Sequence, residues 1–283
     1  ADLLPGLIID LYGDCGVLQT LTQGMDAAKQ DIADSLSEVV PLRAIIERND
    51  AAVRERESLP RIKGVVRGEL GGTTEVQFNG LHWTADLLNG QKTGVYLDQR
   101  ENYLAAARYA KGKALDCFTS TGGFALHLAR ICEAVEAVDS SEHAIAAARV
   151  NAAANQLHNI TFKEADVFDL LAAYTGGRRK FDTIVLDPPA FAKSRSQLEG
   201  ATRGYKEINH RALRLLDSGG ILVTCSCSHH FSEAMLLQTV AEAALDAGKT
   251  LRVLERRTQA LDHPILLTVP ETHYLKCLIF EVV

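Results

Sequence analysis

Four side chains in this 283-residue sequence stand at the ends of apolar runs with the types and spacing that chemistry requires: Asp116, Asp139, Asp187 and Cys227. Asp116 closes the run that begins at Ala114, and Cys117, Phe118 and the pair Gly122-Gly123 follow before a helical pattern starts. Glycines lack Cβ, so the backbone there can turn sharply and approach a ligand, while the helix that follows offers unpaired N–H groups. The spacing is not G-x-G-x-x-G, and an acid placed before the turn suits a ligand with cationic groups rather than a pyrophosphate. S-adenosylmethionine, with its sulfonium and its ammonium, is such a ligand. Asp139, with Ser140 behind it, ends the run from Glu133 about twenty residues on, where a carboxylate can take ribose hydroxyls. Asp166-Val167, at the tip of the run from Asn159, is placed to bracket an adenine ring. Any one of these acids alone would read as a helix cap or a solvated residue. Three at successive strand ends beside a glycine turn favour an adenosyl ligand.

The run Phe181 to Leu186 leads into Asp187-Pro188-Pro189-Ala190-Phe191. Prolines fix φ and carry no N–H, so the pair forms a stiff ledge whose carbonyls can face a planar base. The bland alternative is a strand-end turn with a capping acid. Asp-Pro-Pro followed by an aromatic is typical of methyltransferases acting on nucleobases or related amide nitrogens. A further run from Gly220 ends in Cys225-Ser226-Cys227-Ser228-His229-His230. Strand alternation turns Cys225 and Cys227 to the same side, with Cys227 nearer the tip. A thiolate adding at carbon 6 of a pyrimidine makes carbon 5 enamine-like and able to accept a methyl group; a base then removes the C5 proton and the thiol leaves. That role needs an accessible, partly ionised Cys, and Cys227 is assigned to it, with Asp187 hydrogen-bonded to the activated base. Cys225 is read as a small buried hydrophobe. His229 and His230 stay unassigned. Pro188, Pro189, Phe191, Lys193, Tyr205 and Lys206 are assigned to the substrate face, and Asp187 also counts toward the cofactor pocket.

These residues need a frame that brings strand ends together. From about residue 100 onward, strands beginning near Ala114, Val135, Ile160, Ile184, Ile221, Leu251 and Leu275 alternate with helical stretches, which implies a parallel sheet covered by helices. One helix carries Ile208, Ala212, Leu215 and Leu216 on a face and is expected to stop at Gly219-Gly220; another opens at Ser232. Ligands of such sheets sit at the carboxyl ends of the strands. Residues 1–90 read differently, as a small α+β domain of short runs with antiparallel pairing around one amphipathic helix on Ala28, Ile32, Leu36 and Val40. The expected fold is therefore α/β: a Rossmann-like class I methyltransferase domain over 91–283 with the smaller domain in front.

Apolar residues at 47% and charged ones at 23% describe an ordinary globule, and no apolar run is long enough to span a membrane. The first ten residues lack a signal-peptide pattern, and the start at Ala1 rather than Met points to a processed or partial chain. The six cysteines lie mostly in apolar contexts and are read as reduced thiols in a cytoplasmic protein; Cys225-Ser-Cys227 is too tight for zinc, and no metal is expected. A net charge of −6 argues against a basic coat but allows local basic faces, with Arg54, Arg56, Arg61, Lys63 and Arg67 as one group and Lys193, Arg195, Arg203 and Lys206 as another. RNA is the expected partner, and a homodimer is left open.

The blocks Leu4–Gly13, Gln91–Arg100, Asp116–Phe118 with Gly122–Phe124, Asp187–Phe191 and Ser226–Ser228 resemble, in the same order and over nearly the whole chain, those of the bacterial large-subunit rRNA cytosine-5 methyltransferase family. The resemblance implies a central α+β domain, a Rossmann-like methyltransferase domain, S-adenosylmethionine as cofactor and Cys227 as nucleophile. It also implies an N-terminal PUA-type RNA-binding domain that this sequence lacks, which bears on RNA affinity and target choice. Ala190 departs from broader cytosine-5 enzymes, some of which place a second Cys there, so release of the thiol adduct must use another base or water. In the Gln91–Arg100 block, Arg100 or Lys92 is a candidate for the methionine carboxylate, and a role as a hinge between the domains fits equally. The rivals are an amino-group methyltransferase, which needs no thiol, a nicotinamide oxidoreductase, whose glycine spacing is missing, and a noncatalytic RNA-binding module.

Overall fold

The structure, a computed structural model, describes residues 3–90, 93–192 and 194–283. The chain divides into two units, Ala1–Tyr96 and Leu97–Val283.

In the first unit, β1 (Leu7–Tyr12) and β2 (Cys15–Thr20) form an antiparallel hairpin. A short helix α1 (Gln23–Ala27) leads into α2 (Lys29–Val39), whose Ile32, Ala33 and Leu36 pack with Leu18 and Ile45. The helix carries the chain back to the end of β2 from which the next strand starts, so β3 (Ala44–Asn49) pairs with β2 in parallel, where antiparallel pairing was expected. β4 (Ile62–Gly68) closes the four-stranded sheet as an edge; its charges at Lys63 and Arg67 hid it in the sequence, and an edge strand tolerates them. β5 (Thr74–Phe78) and β6 (Leu81–Ala85) form a separate hairpin. Arg54 is no part of a basic face. It is fully buried, and its guanidinium donates to the Thr20 carbonyl, to Asp26 at 2.9 Å and to the Pro60 carbonyl at 2.9 Å.

The second unit is the Rossmann-like part. α3 (Arg100–Tyr109) precedes β7 (Lys113–Cys117), α4 (Gly123–Ala129), β8 (Ala134–Asp139), α5 (Glu142–Ala154), β9 (Ile160–Glu164), α6 (Val167–Gly176) and β10 (Phe181–Leu186). Then come α7 (Leu198–Leu215), β11 (Leu216–Ser226), α8 (Glu233–Asp246), β12 (Leu251–Arg257) and β13 (Lys276–Val282). The sheet order is β12-β13-β11-β10-β7-β8-β9, with β13 antiparallel to both of its neighbours. The chain therefore reverses strand order between β7 and β10, the place where open α/β sheets make their crevice. Helix α7 ends at Leu215, not at Gly219-Gly220. Phe181 pairs with Leu216 and Thr183 with Ile221, so residues 217–220 bulge out of a strand that has already begun. An apolar core runs from Leu115, Ile184 and Leu222 in the sheet to Leu171, Ile208 and Leu236 on the helices. Among the described residues no helix is long and apolar enough to cross a membrane.

Removing Arg54 takes the charged partner from Asp26, which keeps Thr20 Oγ1 as a donor, and a donor from the Thr20 and Pro60 carbonyls. Arg54→Ala is expected to destabilise the first unit by about 3–5 kcal/mol, read as a lower urea midpoint in the fluorescence of Trp83, the chain's one tryptophan.

Candidate functional site

Parallel register gathers the chemistry. Leu186 lies opposite Cys117 on one side and Thr224 on the other, and Cys117 lies opposite Val138. Asp116, Asp139, Asp187 and Cys227 thus emerge at one edge of four adjoining strands.

The segment after β7 is built to approach something closely. Phe118, Ser120 and Gly122 take φ values of 65°, 49° and 96°, a concentration of left-handed backbone that persists only where surroundings impose it. A Cβ on Gly122 would lie 2.4 Å from Leu126 Cδ1, and one on Gly123 would lie 2.4 Å from the Tyr103 ring, so both positions exclude any larger residue. Hydrogen bonds fix the loop: Ser120 N–H donates to Asp139 Oδ2 at 2.9 Å, Ser141 N–H to Asp139 Oδ1 at 3.0 Å, and Thr119 N–H to the Val138 carbonyl at 2.9 Å. Below it, His127 sits against the Gly123 carbonyl at 2.8 Å, and burial pulls its pKa down to about 4, so it stays neutral.

Asp116 lies beneath this loop and is fully buried. Its Oδ2 accepts from Thr119 Oγ1 at 2.6 Å and from Ala125 N–H at 2.9 Å, while Oδ1 meets no donor. Burial first, then the Asp187 and Asp139 charges, raise its pKa to about 7 against the pull of those two hydrogen bonds. A buried carboxylate oxygen with no donor, beside two further acids, is the complement of a cation. Ser120 Oγ is also buried without a partner. This fits the ammonium and adenosyl ends of S-adenosylmethionine.

On the other side of the edge, Asp187 accepts from Gln99 Nε2 at 3.0 Å, and Gln99 is itself held by Asn102 at 2.7 Å. Pro188 is buried and Pro189 exposed. Cys227 is half-exposed, whereas Ser226 and Ser228 on either side of it are fully buried. Tyr205 Oη donates to Ser226 Oγ at 2.9 Å and lies 3.2 Å from Ser228 Oγ, and Ala192 N–H donates to Ser228 Oγ at 3.2 Å. The segment after the prolines and the two serines that flank Cys227 are thereby tied to one another. Cys225, as expected, is fully buried.

Several assigned residues are buried or engaged in other contacts. Tyr205 is fully buried, stacked 4.7 Å from both Phe191 and Phe231, so it positions the Cys227 turn instead of touching a substrate. Phe191 likewise packs into that aromatic column and against Phe168. Lys206 is drawn along α7 toward Asp246, at the far end of α8, with Nζ 2.9 Å from its carboxylate. Val167 is 2% exposed in the core, and Asp166 caps α6 by accepting from Asp169 N–H at 3.1 Å. Cys117 is fully buried, burial pushes its thiol well up, and its carbonyl accepts from Asp187 N–H at 3.3 Å, so its side chain is not offered to a cofactor. Arg100 pairs with Asp262. Ser140 is exposed behind Asp139. Lys193 and Lys92 lie outside the described residues.

Sequence reasoning missed Gln99, Asn102, Tyr274 and Lys276. Gln99 stood inside the Gln91–Arg100 block; the others carry no local signal, and the strand order alone brings them here. Tyr274 Oη donates to the buried Asp98 at 2.7 Å, and its ring lies 5.6 Å from that of His229. Among the described residues no group of three or more His, Cys, Asp or Glu is placed to hold a metal ion.

A family model described as a methyltransferase domain matches residues 110–263. The "Ribosomal RNA large subunit methyltransferase I" of Tolumonas auensis is 44% identical over 289 residues, covering 100% of this chain and 73% of that protein. The Escherichia coli O139:H28 protein of the same name is 42% identical over 281 residues, covering 98% of this chain and 71% of its own length. Among solved structures, a candidate SAM-dependent methyltransferase from Streptococcus mutans matches with a TM-score of 0.83 at 20% identity, over 98% of this chain and 71% of that one. The Methanocaldococcus jannaschii tRNA m1G37 methyltransferase matches with a TM-score of 0.65 at 17% identity, over 99% and 77%. At these identities the two structures show the fold alone.

Asp116 gives the site a pH signature. Its folded pKa of about 7 stands above the ordinary carboxylate value of 3.8, so the folded chain keeps a proton that the unfolded chain has already released. That contribution is fully present below about pH 4 and is lost as pH rises toward 7. Asp116→Asn removes it, so the stability of the variant relative to the parent should rise by roughly 3 kcal/mol between pH 4.5 and 7.5. Urea midpoints of the two proteins at both pH values check this, and His127, titrating in both, cancels from the difference.

Proposed function

The chain belongs to the ribosomal RNA large subunit methyltransferase I family, and we propose that it makes 5-methylcytosine in large-subunit rRNA through a covalent adduct with Cys227. It is an S-adenosylmethionine-dependent RNA methyltransferase by membership of that family; the target atom and the covalent route are the finer reading. The observation that carries them is the partial exposure of Cys227, held between buried Ser226 and Ser228 at the same strand edge as Asp187 and the proline ledge. An amino-group transfer would need the acid and the ledge but not the thiol.

S-adenosylmethionine, when bound, supplies a methyl group on a sulfonium. The residues that would hold it are Asp116, whose Oδ1 awaits a cationic donor, the backbone from Phe118 to Gly123, and Asp139, whose remaining lone pairs can take ribose hydroxyls. Cys227 Sγ forms a bond to C6 of the cytosine, and the C5–C6 π electrons move to C5. Asp187 hydrogen-bonds the activated ring, its carboxylate steadied by Gln99. After methylation at C5, water takes the C5 proton, the freed C–H pair re-forms the C5–C6 double bond, and the S–C6 bond breaks with its pair returning to Cys227 Sγ as thiolate. The first unit is taken as RNA-facing, and a ribosomal substrate places the work in the cytoplasm.

Cys227→Ala is expected to lose methylation of large-subunit rRNA by at least about a thousandfold with cofactor binding intact. RNA carrying 5-fluorocytosine, from which C5 releases no proton, should form a gel-stable adduct with the parent and none with the variant. Full methylation by Cys227→Ala would instead favour an exocyclic amino group as acceptor. Cofactor affinity should also tighten about three- to tenfold between pH 6 and pH 8 as Asp116 ionises, and be flat in Asp116→Asn, measured by calorimetry.

A further inference from the structure

Asp187 follows β10, and the row of residues level with it crosses three further strands. Leu186 lies opposite Thr224, which brings Asp187 level with Cys225; Cys225 lies opposite Cys277, and Cys277 opposite Arg257 on the edge strand β12. Two amides link the ends of this row. Gln99, just ahead of α3, and Asn102, in its first turn, are 2% and 0% exposed. Arg257 Nε donates to Asn102 Oδ1 at 2.9 Å, Asn102 Nδ2 to Gln99 Oε1 at 2.7 Å, and Gln99 Nε2 to Asp187 Oδ2 at 3.0 Å. The far end is anchored, because Arg257 Nη1 donates to Glu255 Oε2 at 2.7 Å.

The chemistry of its outer members gives this relay a single direction. A guanidinium only donates and a backbone carbonyl only accepts. Arg257 therefore fixes the oxygen of the Asn102 amide, while the Thr258 carbonyl, 3.0 Å from Nδ2, fixes its nitrogen. Reversing Asn102 would set N–H against N–H and oxygen against oxygen. Gln99 then has one orientation as well, its oxygen toward Asn102 and its nitrogen toward Asp187; it also hydrogen-bonds the buried Cys225 thiol. Buried amides that lose such partners carry the whole cost of their desolvation, so the order is enforced. An N–H held against a carboxylate favours its charged form. That matters for Asp187, since Asp116 after the next strand is a like charge beside it and Cys225 is a buried thiol that offers it no charge of opposite sign.

We propose that Gln99 is a positioning residue, its amide oriented by Arg257 through Asn102 so that a fixed N–H holds Asp187 in place as the carboxylate that meets the base being methylated. This role rests on the reading of Asp187 as the acid that hydrogen-bonds the activated ring. It is the same whether carbon 5 or an amino group receives the methyl.

Asn102→Asp tests the relay without altering Asp187 or Gln99. The new carboxylate still accepts from Arg257, which keeps it ionised, but it cannot donate to Gln99, whose amide then turns its oxygen to Asp187. Methylation of large-subunit rRNA is followed in single turnovers at saturating cofactor, at pH 5.5 and at pH 7.5. The ratio of parent to variant rate cancels the titration of Cys227, which both share. It should fall about tenfold between the two pH values, because Asp187 in the variant gains its charge only near about pH 6.5. Gln99→Met, which removes the donor at similar volume, should show the same dependence, and the double variant should be within about threefold of Gln99→Met alone, since both changes cut one relay. Arg257→Gln, at a half-buried position, should move the ratio the same way by about threefold, and it serves if the buried variants do not fold. Ratios that stay flat with pH, or losses that add in the double variant, overturn the proposal. Full methylation by Asp187→Asn would overturn the reading of Asp187 itself, whereas an inactive Asp187→Asn beside flat ratios removes the relay alone.

Discussion

The parallel register of β7, β10 and β11 is the constraint on which the site depends. Each pairing fixes which residue ends its strand beside which: Cys117 beside Leu186, Leu186 beside Thr224. A slip of one residue would turn every side chain on that strand to the opposite face of the sheet. Asp116 would then leave the loop it anchors, and Cys227 would leave the tip. The register is enforced by apolar residues that cannot face water, among them Leu115, Ile184, Leu186 and Leu222, all without exposure. Hydrophobic burial on the sheet therefore sets the polar geometry at its edge.

At that edge the chain holds two different environments, at the ends of β7 and β11. Around Asp116, burial and two further acids accumulate negative charge that wants a cation, and the loop above it has no room for side chains at Gly122 and Gly123. Around Cys227 stand the buried Ser226 and Ser228, with the buried Lys276 opposite Ser226 on β13. Between the two runs β10, which leads into Asp187 and the proline ledge. The aromatic column Phe191, Tyr205 and Phe231 stiffens the second environment by fixing the hydroxyl that reaches Ser226 and Ser228.

Residues that failed as substrate contacts failed for one reason: local sequence does not say which face of an element is covered. Tyr205 and Phe191 follow the prolines closely and look available, yet α7 lays its apolar stripe on the sheet and takes both inward. Lys206, one residue beyond Tyr205, is turned toward the acids of α8. Asp166 and Asp139 have the same look in the sequence, a strand-end acid, but Asp166 is spent on its own helix while Asp139 bridges two loops.

The sequence by itself determined the strand-and-helix alternation, the glycine turn after Asp116, the proline ledge after Asp187 and the position of Cys227 at a strand end, because each is written in contiguous residues through backbone stereochemistry and periodicity. It also carried the family resemblance. Tertiary structure alone decided that β13 enters antiparallel next to β11, which sets Lys276 opposite Ser226, 50 positions earlier, and that Gln99 reaches Asp187 across 88 residues. Such contacts are made by strand order and helix packing, whose energy is spread over the whole core, and no local pattern of residues records them.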